Sequence, residues 1–387
     1  MPHMSTLPSL MEMMGALIGA PSVSSVSAEL DMGNGAVIGH LATWLEDLGF
    51  AVEVLPVRGR PGKQNLIATL GSGPGGLVLA GHTDTVPFDA GRWNHDPFQA
   101  TEADGRIYGL GSCDMKGFFP LAIQAAARFR DARLRAPLIV LATADEESSM
   151  SGARDLVRLG RPAARHALIG EPTGLRPVNT HKGILMEAVE IRGRSGHSSD
   201  PSLGANALEG MHRALGEILA WREELQRRHR DRRFRVPVPT LNPGRIEGGD
   251  NPNRICAHCR LDFDLRPLPG MEPAELHREL DARLAPVGRT PGLELERRPL
   301  IEPVPPMHTP ADAAIVRAAE RLTGHGAEAV AFCTEGPFLN QMGMETVVLG
   351  PGDIAQAHQP DEFLSLHRIR PTIDLLESLI VEFCRPA

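Results

Sequence analysis

The chain has 387 residues, 42% of them hydrophobic, and a formal net charge of −8. That length exceeds what one ordinary core supports, so two domains are expected, and the acidic balance argues against nucleic acid as the main partner. No run of about 18 apolar residues occurs, so no helical membrane span is expected, and with aromatics at only 4% the core must rest on aliphatic side chains.

The first ten residues, MPHMSTLPSL, have no basic start followed by an apolar stretch, so no secretory signal is read there. Five cysteines without framework spacing suit a reducing compartment, and a cytoplasmic location is expected. Residues 9–19 read as a helix that Ser9 can cap, with Leu10, Met14, Leu17 and Ile18 on one face. A second helix covers 36–48 and Gly49 closes it. Residues 50–57 and 65–70 alternate like strands. The loop GSGPGG at 71–76 precedes a strand, whereas a phosphate cradle follows one and opens a helix, so it reads as a hairpin connection.

Residues 77–80 (LVLA) read as a short strand buried on both faces, ended by Gly81. His82 and Asp84 follow, and residues i and i+2 of extended backbone project to the same side. They stand at the C-terminal end of a buried strand, where open α/β sheets keep their ligand sites. A carboxylate beside a ring is a common way to present neutral imidazole to zinc. A turn hydrogen bond gives the same local pattern, so the metal reading depends on ligands at other strand ends.

Those ligands follow. A helix at 117–130 comes after Asp114. The buried strand at 137–143 (PLIVLAT) leads to Asp145, Glu146 and Glu147. A helix covers 153–159, the short strand 167–170 leads to Glu171, and the strand 346–349 leads through Gly350-Pro351-Gly352 to a loop holding His358. A final amphipathic helix covers 369–383. Between about 181 and 298 the order is strand, helix, strand, strand, helix, strand. Its clearest strands are 186–192 and 254–265, and its long helix is 206–229. This is a small α+β sandwich inserted into a larger α/β domain, giving parts at 1–180, 181–298 and 299–387.

His82, Asp114, Glu147, Glu171 and His358 form an N/O donor set suited to zinc, cobalt or manganese. Two metals about 3.5–4 Å apart need a shared carboxylate plus ligands of their own, and five donors with one bridging meet that need. Glu146 and Glu147 are adjacent and cannot point the same way in extended chain, so one can ligate while the other takes a proton from water.

GHTDTVP at 81–87, GLGSCDMKG at 109–117, TADEE at 143–147, GEPT at 170–173, GHSSDP at 196–201 and AHQPDE at 357–362 are similar to the motifs of the dinuclear zinc peptidase and deacylase family. The resemblance runs from about residue 8 to the C-terminus. AGHTDTVPFD, GRW-x-x-DPF and GPG-x-I-x-QAHQPDE resemble its amino-acid deacetylase branch. It implies an α/β catalytic domain with a mixed central sheet flanked by helices, plus the inserted sandwich as a dimerisation or lid domain. It implies two divalent ions, zinc or cobalt, and a homodimer. Asp114 matches the bridging ligand, His82 and Glu171 the ligands of one metal, and Glu147 and His358 those of the other. Asp84 matches the carboxylate behind His82, Glu146 the general base, and the Asp114–Met115 bond a cis peptide. His197 matches a histidine that reaches the partner's active site and steadies the oxyanion, and Asn253, Arg266 and Thr334 match positions that hold an α-carboxylate.

The implied activity is hydrolysis of N2-acetyl-L-ornithine to ornithine and acetate in arginine biosynthesis. Acetylcitrulline, succinyl-diaminopimelate and a di- or tripeptide are the rival substrates. A binding protein without turnover would not need the free carboxylate of Glu146. In CTEGPF, Glu335 is expected to face the substrate's δ-ammonium, with a loop-capping role as the alternative. Cys256-Ala-His-Cys259 resembles half a zinc knuckle but lies in an apparent strand with no second pair, so buried thiols are expected. Cys113 reads as packing, with oxidation the alternative. Residues 222–235 hold seven Arg against three acids, which reads as a solvated helix end, with RNA or anion binding the alternative.

Overall fold

The computed structural model describes residues 7–384; the first six, part of the stretch read as lacking a secretory signal, and residues 385–387 lie outside the described residues. The chain divides into two compact units. One holds residues up to Asn179, Thr309–Glu328 and the chain from Thr334 onward; the other holds Thr180–His308 and Ala329–Cys333. The inserted unit therefore extends past the expected end at 298.

Helix α1 (Leu10–Ile18) begins at a reciprocal cap: the Ser9 hydroxyl accepts from the Glu12 amide, and the Glu12 carboxylate accepts from the Ser9 amide. Helix α2 (Gly35–Asp47) buries Val37, Ile38, Leu41 and Leu45, one stripe at helical spacing. Then come β1 (Ala51–Pro56), β2 (Gln64–Leu70), β3 (Leu77–His82), the pair β4 (Thr101–Ala103) and β5 (Arg106–Tyr108), helix α3 (Phe118–Ala127), β6 (Leu138–Thr143), α4 (Ser151–Leu159), β7 (His166–Pro172) and β8 (Val178–His181).

The inserted unit contributes β9 (Leu185–Arg192), α5 (Ala207–Arg228), β10 (Thr240–Gly248), β11 (His258–Arg266), α6 (Pro273–Gly288), β12 (Glu294–Pro299) and β13 (Met307–His308). Strands β10, β11, β9 and β12 form an antiparallel sheet in that order. Ile191, Leu261, Phe263, Met211, Ile218, Trp221, Leu280 and Leu284 form the core between sheet and helices. Strand β11 starts at His258, not at 254 as expected. Upstream, the Cys256 and Ala257 carbonyls accept from the Ala207 and Gly193 amides, so this segment is tied to other backbone outside the ladder. The strand-parity argument for the two cysteines therefore fails: Cys259 is buried in β11, and Cys256 lies before it, half-buried.

The rest of the first unit is α7 (Ala314–Thr323), β14 (Glu328–Val330, which runs into the inserted unit), α8 (Gly336–Gln341), β15 (Glu345–Gly350), β16 (Phe363–Ser365) and α9 (Ile369–Cys384). Its central sheet is mixed and flanked by helices, in the order β1-β2-β6-β3-β7-β15-β8. Strand β3 is parallel to β6 and to β7, and β15 is parallel to β7, while β2 is antiparallel to β6. This corrects the hairpin reading of residues 71–76. Strand β6 lies between β2 and β3, and LIVLAT, apolar up to its closing Thr143, buries all six residues there. The glycine loop passes against the start of β6 instead: a side chain at Gly76 would place its Cβ 2.4 Å from the Pro137 carbonyl.

Leu77, Val78, Leu79 and Ala80 are fully buried, and each such Leu or Val stabilises the fold by roughly 1.5–3 kcal/mol. In the inserted unit, burial pulls the His181 imidazole down to about 4 from the ordinary 6.5. The unfolded chain then binds the extra proton first as pH falls, so stability is full above 6.5 and falls as pH drops toward 4. The loss expected is roughly 3 kcal/mol. Chemical denaturation of wild type and His181→Gln between pH 7 and 4 checks this, with a shallower slope expected in the variant. Among the described residues, no helix is long and apolar enough to cross a membrane.

Candidate metal centre

Three neighbouring parallel strands end together. His82 of β3 pairs in register with Thr143 of β6, and Ala80 of β3 pairs with Ile169 of β7. Hence His82 closes β3, Glu146 and Glu147 follow β6, and Glu171 lies within β7, one residue before its end. Asp114 comes from the turn between β5 and α3, and His358 from the loop between β15 and β16. The Asp114–Met115 peptide is cis, and His358 has a left-handed φ of 60°.

The two oxygens of Asp114 face different histidines. Oδ1 lies 3.2 Å from His82 Nε2, and Oδ2 lies 3.4 Å from His358 Nε2. His82 Nε2 is also 3.7 Å from Glu171 Oε1, and His358 Nε2 is 3.0 Å from Glu147 Oε1. Donor atoms of His82, Glu146 and Glu171 lie within 4.8 Å of one another, as do those of His82, Asp114 and Glu147. Glu146, expected as a base, thus has ligand reach as well. Among the described residues, the ion pairs of Asp84, Asp114, Glu147 and Glu171 are with the two histidines alone.

Asp84 lies within ion-pair range of the His82 ring without a side-chain hydrogen bond to it. His82 Nδ1 is 2.9 Å from the Asp84 backbone carbonyl but 3.7 Å from its carboxylate. The Nδ1–H therefore donates to the carbonyl, which aims Nε2 at Asp114 and Glu171. The Asp84 carboxylate instead accepts from the Glu147 amide at 3.1 Å, and its other oxygen is buried without a hydrogen-bond partner. It steadies the turn that carries Glu146 and Glu147.

The electrostatics are those of excess negative charge out of water. Burial pushes the Glu146 carboxyl well above its ordinary value, and the charges of Glu147, Glu335 and Asp84 add to the rise. Glu171 is pushed well up by burial and by Asp114. Burial also works against the charged form of Asp114, but hydrogen bonds from His358 and His82 outweigh it and hold its carboxyl below the usual range. A carboxylate split between two histidines, flanked by further carboxylates that have no Arg or Lys partner among the described residues, fits two divalent cations sharing Asp114.

The remaining expected residues fall in two groups. Thr334 and Glu335 belong to the same unit as this cluster. The Thr334 hydroxyl accepts from the Gly336 amide at 3.0 Å. Glu335 is only 2% exposed, accepts from the Thr143 hydroxyl at 2.7 Å, and is pushed up to about 7 by burial. The expectation that it faces a substrate ammonium meets a site closed to solvent. Glu335→Gln is expected to lower turnover of acetylornithine and acetylmethionine by the same factor, within about twofold, in parallel kcat/KM measurements.

His197, Asn253 and Arg266 lie in the inserted unit. His197 and Asn253 are brought together: residue 197 bridges to Arg254, and the Ser198 amide donates to the Asn253 carbonyl at 3.1 Å. His197 Nδ1 accepts from the Ser199 amide at 3.2 Å, which places the ring proton on the exposed Nε2 as a donor. Arg266 closes β11 and pairs with Asp264. Cys113 is buried, donates to the Asp353 carbonyl at 3.4 Å, and its thiol is pushed up by burial, as packing requires. In the arginine run, Arg228 pairs with Glu279 and Arg233 with Asp231.

Two features escaped the sequence reading. Glu362, the last residue of AHQPDE, is buried and accepts from the amides of Gly111, Cys113 and Asp114, so it cradles the turn that presents Asp114. Burial and the charge of Asp114 push it up to about 8. Lys63 reaches Asp145, next to Glu146, at 2.7 Å. A single acid closing a motif and a lone Lys before a strand carry no periodic signal.

The sequence profile described as peptidase family M20/M25/M40 matches residues 78–382. The chain is 49% identical over 381 residues to acetylornithine deacetylase of Pasteurella multocida (strain Pm70), covering 98% of this chain and 100% of that protein. In fold it is similar to the M20 family metallo-carboxypeptidase Sso-CP2 from Sulfolobus solfataricus (TM-score 0.74, 18% identity, 96% of this chain and 98% of that one). It is also similar to the YXEP protein of Bacillus subtilis, a dinuclear metal binding peptidase (TM-score 0.65, 15% identity, 96% and 97%). A matched span of that length and a relative that similar across the whole chain place it: the chain belongs to peptidase family M20/M25/M40.

Proposed function

We propose that the chain is a metal-dependent amidohydrolase that cleaves N2-acetyl-L-ornithine to L-ornithine and acetate, a cytoplasmic step of arginine biosynthesis. The observation that carries this is the Asp114 carboxylate split between His82 and His358, with Glu146 beside it. The substrate comes from the relative in Pasteurella multocida, whose name states that activity.

His82 and Glu171 would hold one divalent ion, Glu147 and His358 the other, and Asp114 both. Zinc or cobalt suits these donors. When bound, the ions supply positive charge that polarises the amide carbonyl and makes a water acidic near neutral pH. Glu146 accepts the proton of the attacking water. It holds that proton until the leaving amine takes it. The water oxygen bonds to the carbonyl carbon, the C–N bond breaks, the amine leaves with the proton from Glu146, and the acid gives up the second water proton to solvent as acetate. His197 offers its Nε2–H to the oxyanion from a partner protomer, and Asn253, Arg266 and Thr334 hold the α-carboxylate.

Amine release by the purified protein tests this across acetylornithine, acetylcitrulline, succinyl-diaminopimelate and a dipeptide, with chelator and with added zinc or cobalt. Expected is the highest kcat/KM on acetylornithine, abolished by chelator and restored by metal. A higher kcat/KM on any of the other three overturns the substrate assignment, and full activity in chelator overturns the metal reading.

A further inference from the structure

Asp145 stands between the end of β6 and the two glutamates of the candidate centre, in a backbone conformation that L side chains rarely adopt, with φ of 61°. Such a position persists only where the surroundings over-determine it. Here they do. Lys63 Nζ donates to Asp145 Oδ1 at 2.7 Å, Ser24 donates to the same oxygen at 3.1 Å, and Ser151 donates to Oδ2 at 2.8 Å. The Asp145 carbonyl accepts from the amides of Ser149 and Met150. Lys63 is itself only 3% exposed and is held from the other side by Asp31 at 2.7 Å.

A buried ion pair of this kind is weak evidence for stability, since well-packed apolar residues often do as well. Its geometry is specific, however. The ammonium is anchored between Asp31, in the loop after α1, and Asp145. It therefore fixes Asp145, whose backbone leads directly into Glu146 and Glu147. Burial works against the charge on Lys63, but the bonds to Asp145 and Asp31 outweigh it and keep the amine protonated.

We propose that Lys63 is a positioning residue for the reaction: through Asp145 it holds the Glu146–Glu147 turn, so that Glu146 meets the attacking water and Glu147 its metal. This rests on the reading of Glu146 as the proton acceptor. A misplacement of about 1 Å at a reacting group is enough to cost about a hundredfold in rate, so a large effect on turnover is expected from a residue that touches neither substrate nor metal.

The test uses the metal-loaded full chain and three variants. Lys63→Met leaves buried Asp145 with Arg60, at 3.8 Å, as its remaining cation among the described residues. Lys63→Met combined with Asp145→Asn removes both charges, and Asn tolerates the left-handed conformation, so this variant keeps the fold even if the first does not. Glu146→Gln tests the underlying reading. For the double variant the expected result is a melting temperature close to wild type, KM within about twofold, and kcat lowered at least tenfold. A purely structural pair would leave kcat intact once the fold is retained. Wild-type kcat in the double variant, or in a folded Lys63→Met, overturns the proposal. If Glu146→Gln keeps full turnover, the proton-acceptor reading fails and takes this proposal with it; if Glu146→Gln is inactive while the double variant is fully active, only the role of Lys63 fails.

Discussion

Replacing Asp114 with Ala is expected to remove both metals together and to lower kcat/KM by at least about a thousandfold. Each of its oxygens faces a different histidine, at 3.2 and 3.4 Å. Loss of any other ligand would leave one site with its own His and carboxylate. Loss of Asp114 leaves His82 with Glu171, and His358 with Glu147, as two-residue fragments with nothing to hold them together. Metal content by atomic emission after dialysis checks this: near zero for Asp114→Ala, against partial retention for Glu171→Ala or His358→Ala. Equal loss of one ion in all three variants would mean that Asp114 is an ordinary ligand of a single site.

Glu146→Gln is expected to keep the metals and the substrate but lose the chemistry. Gln has nearly the same shape and cannot take a proton. General-base groups contribute about 10²–10⁴-fold, so kcat is expected to fall by about a thousandfold with KM within a few-fold of wild type. Glu146 donor atoms also lie within 4.8 Å of those of His82 and Glu171. If Glu146 acts instead as a ligand, the variant will lose metal in parallel with activity. Rate and metal content measured on one preparation separate the two roles.

The centre was legible because His82, Glu147 and Glu171 follow apolar runs that bury completely, while Asp114 and His358 come after glycine turns. LVLA and PLIVLAT announce strands with both faces covered, and a His or carboxylate placed just beyond such a run has little reason to be there except chemistry. The order of strands, helices and strands in the inserted unit was legible for the same reason, since periods of 2 and 3.6 are local. What was not legible is what depends on residues far apart in sequence. Strand β6 enters between β2 and β3 because a parallel crossover brings it there, and nothing within residues 64–82 records that. The Asp84 carboxylate turns to the Glu147 amide and leaves its carbonyl to His82, a choice made by the backbone of a turn. Glu335 looks like a free acid in CTEGPF, but β6 supplies Thr143 to bond it and closes it from solvent. Lys63 and Glu362 act on the centre only through residues that neighbour the ligands, so only contacts reveal them.

The most direct test of two ions bridged by Asp114 is a crystal structure of the zinc-loaded protein with anomalous data at the zinc edge. The account predicts two anomalous peaks, one bound by His82 and Glu171, the other by Glu147 and His358, with one oxygen of Asp114 on each. A single peak, or peaks that leave Asp114 uncoordinated, would contradict it.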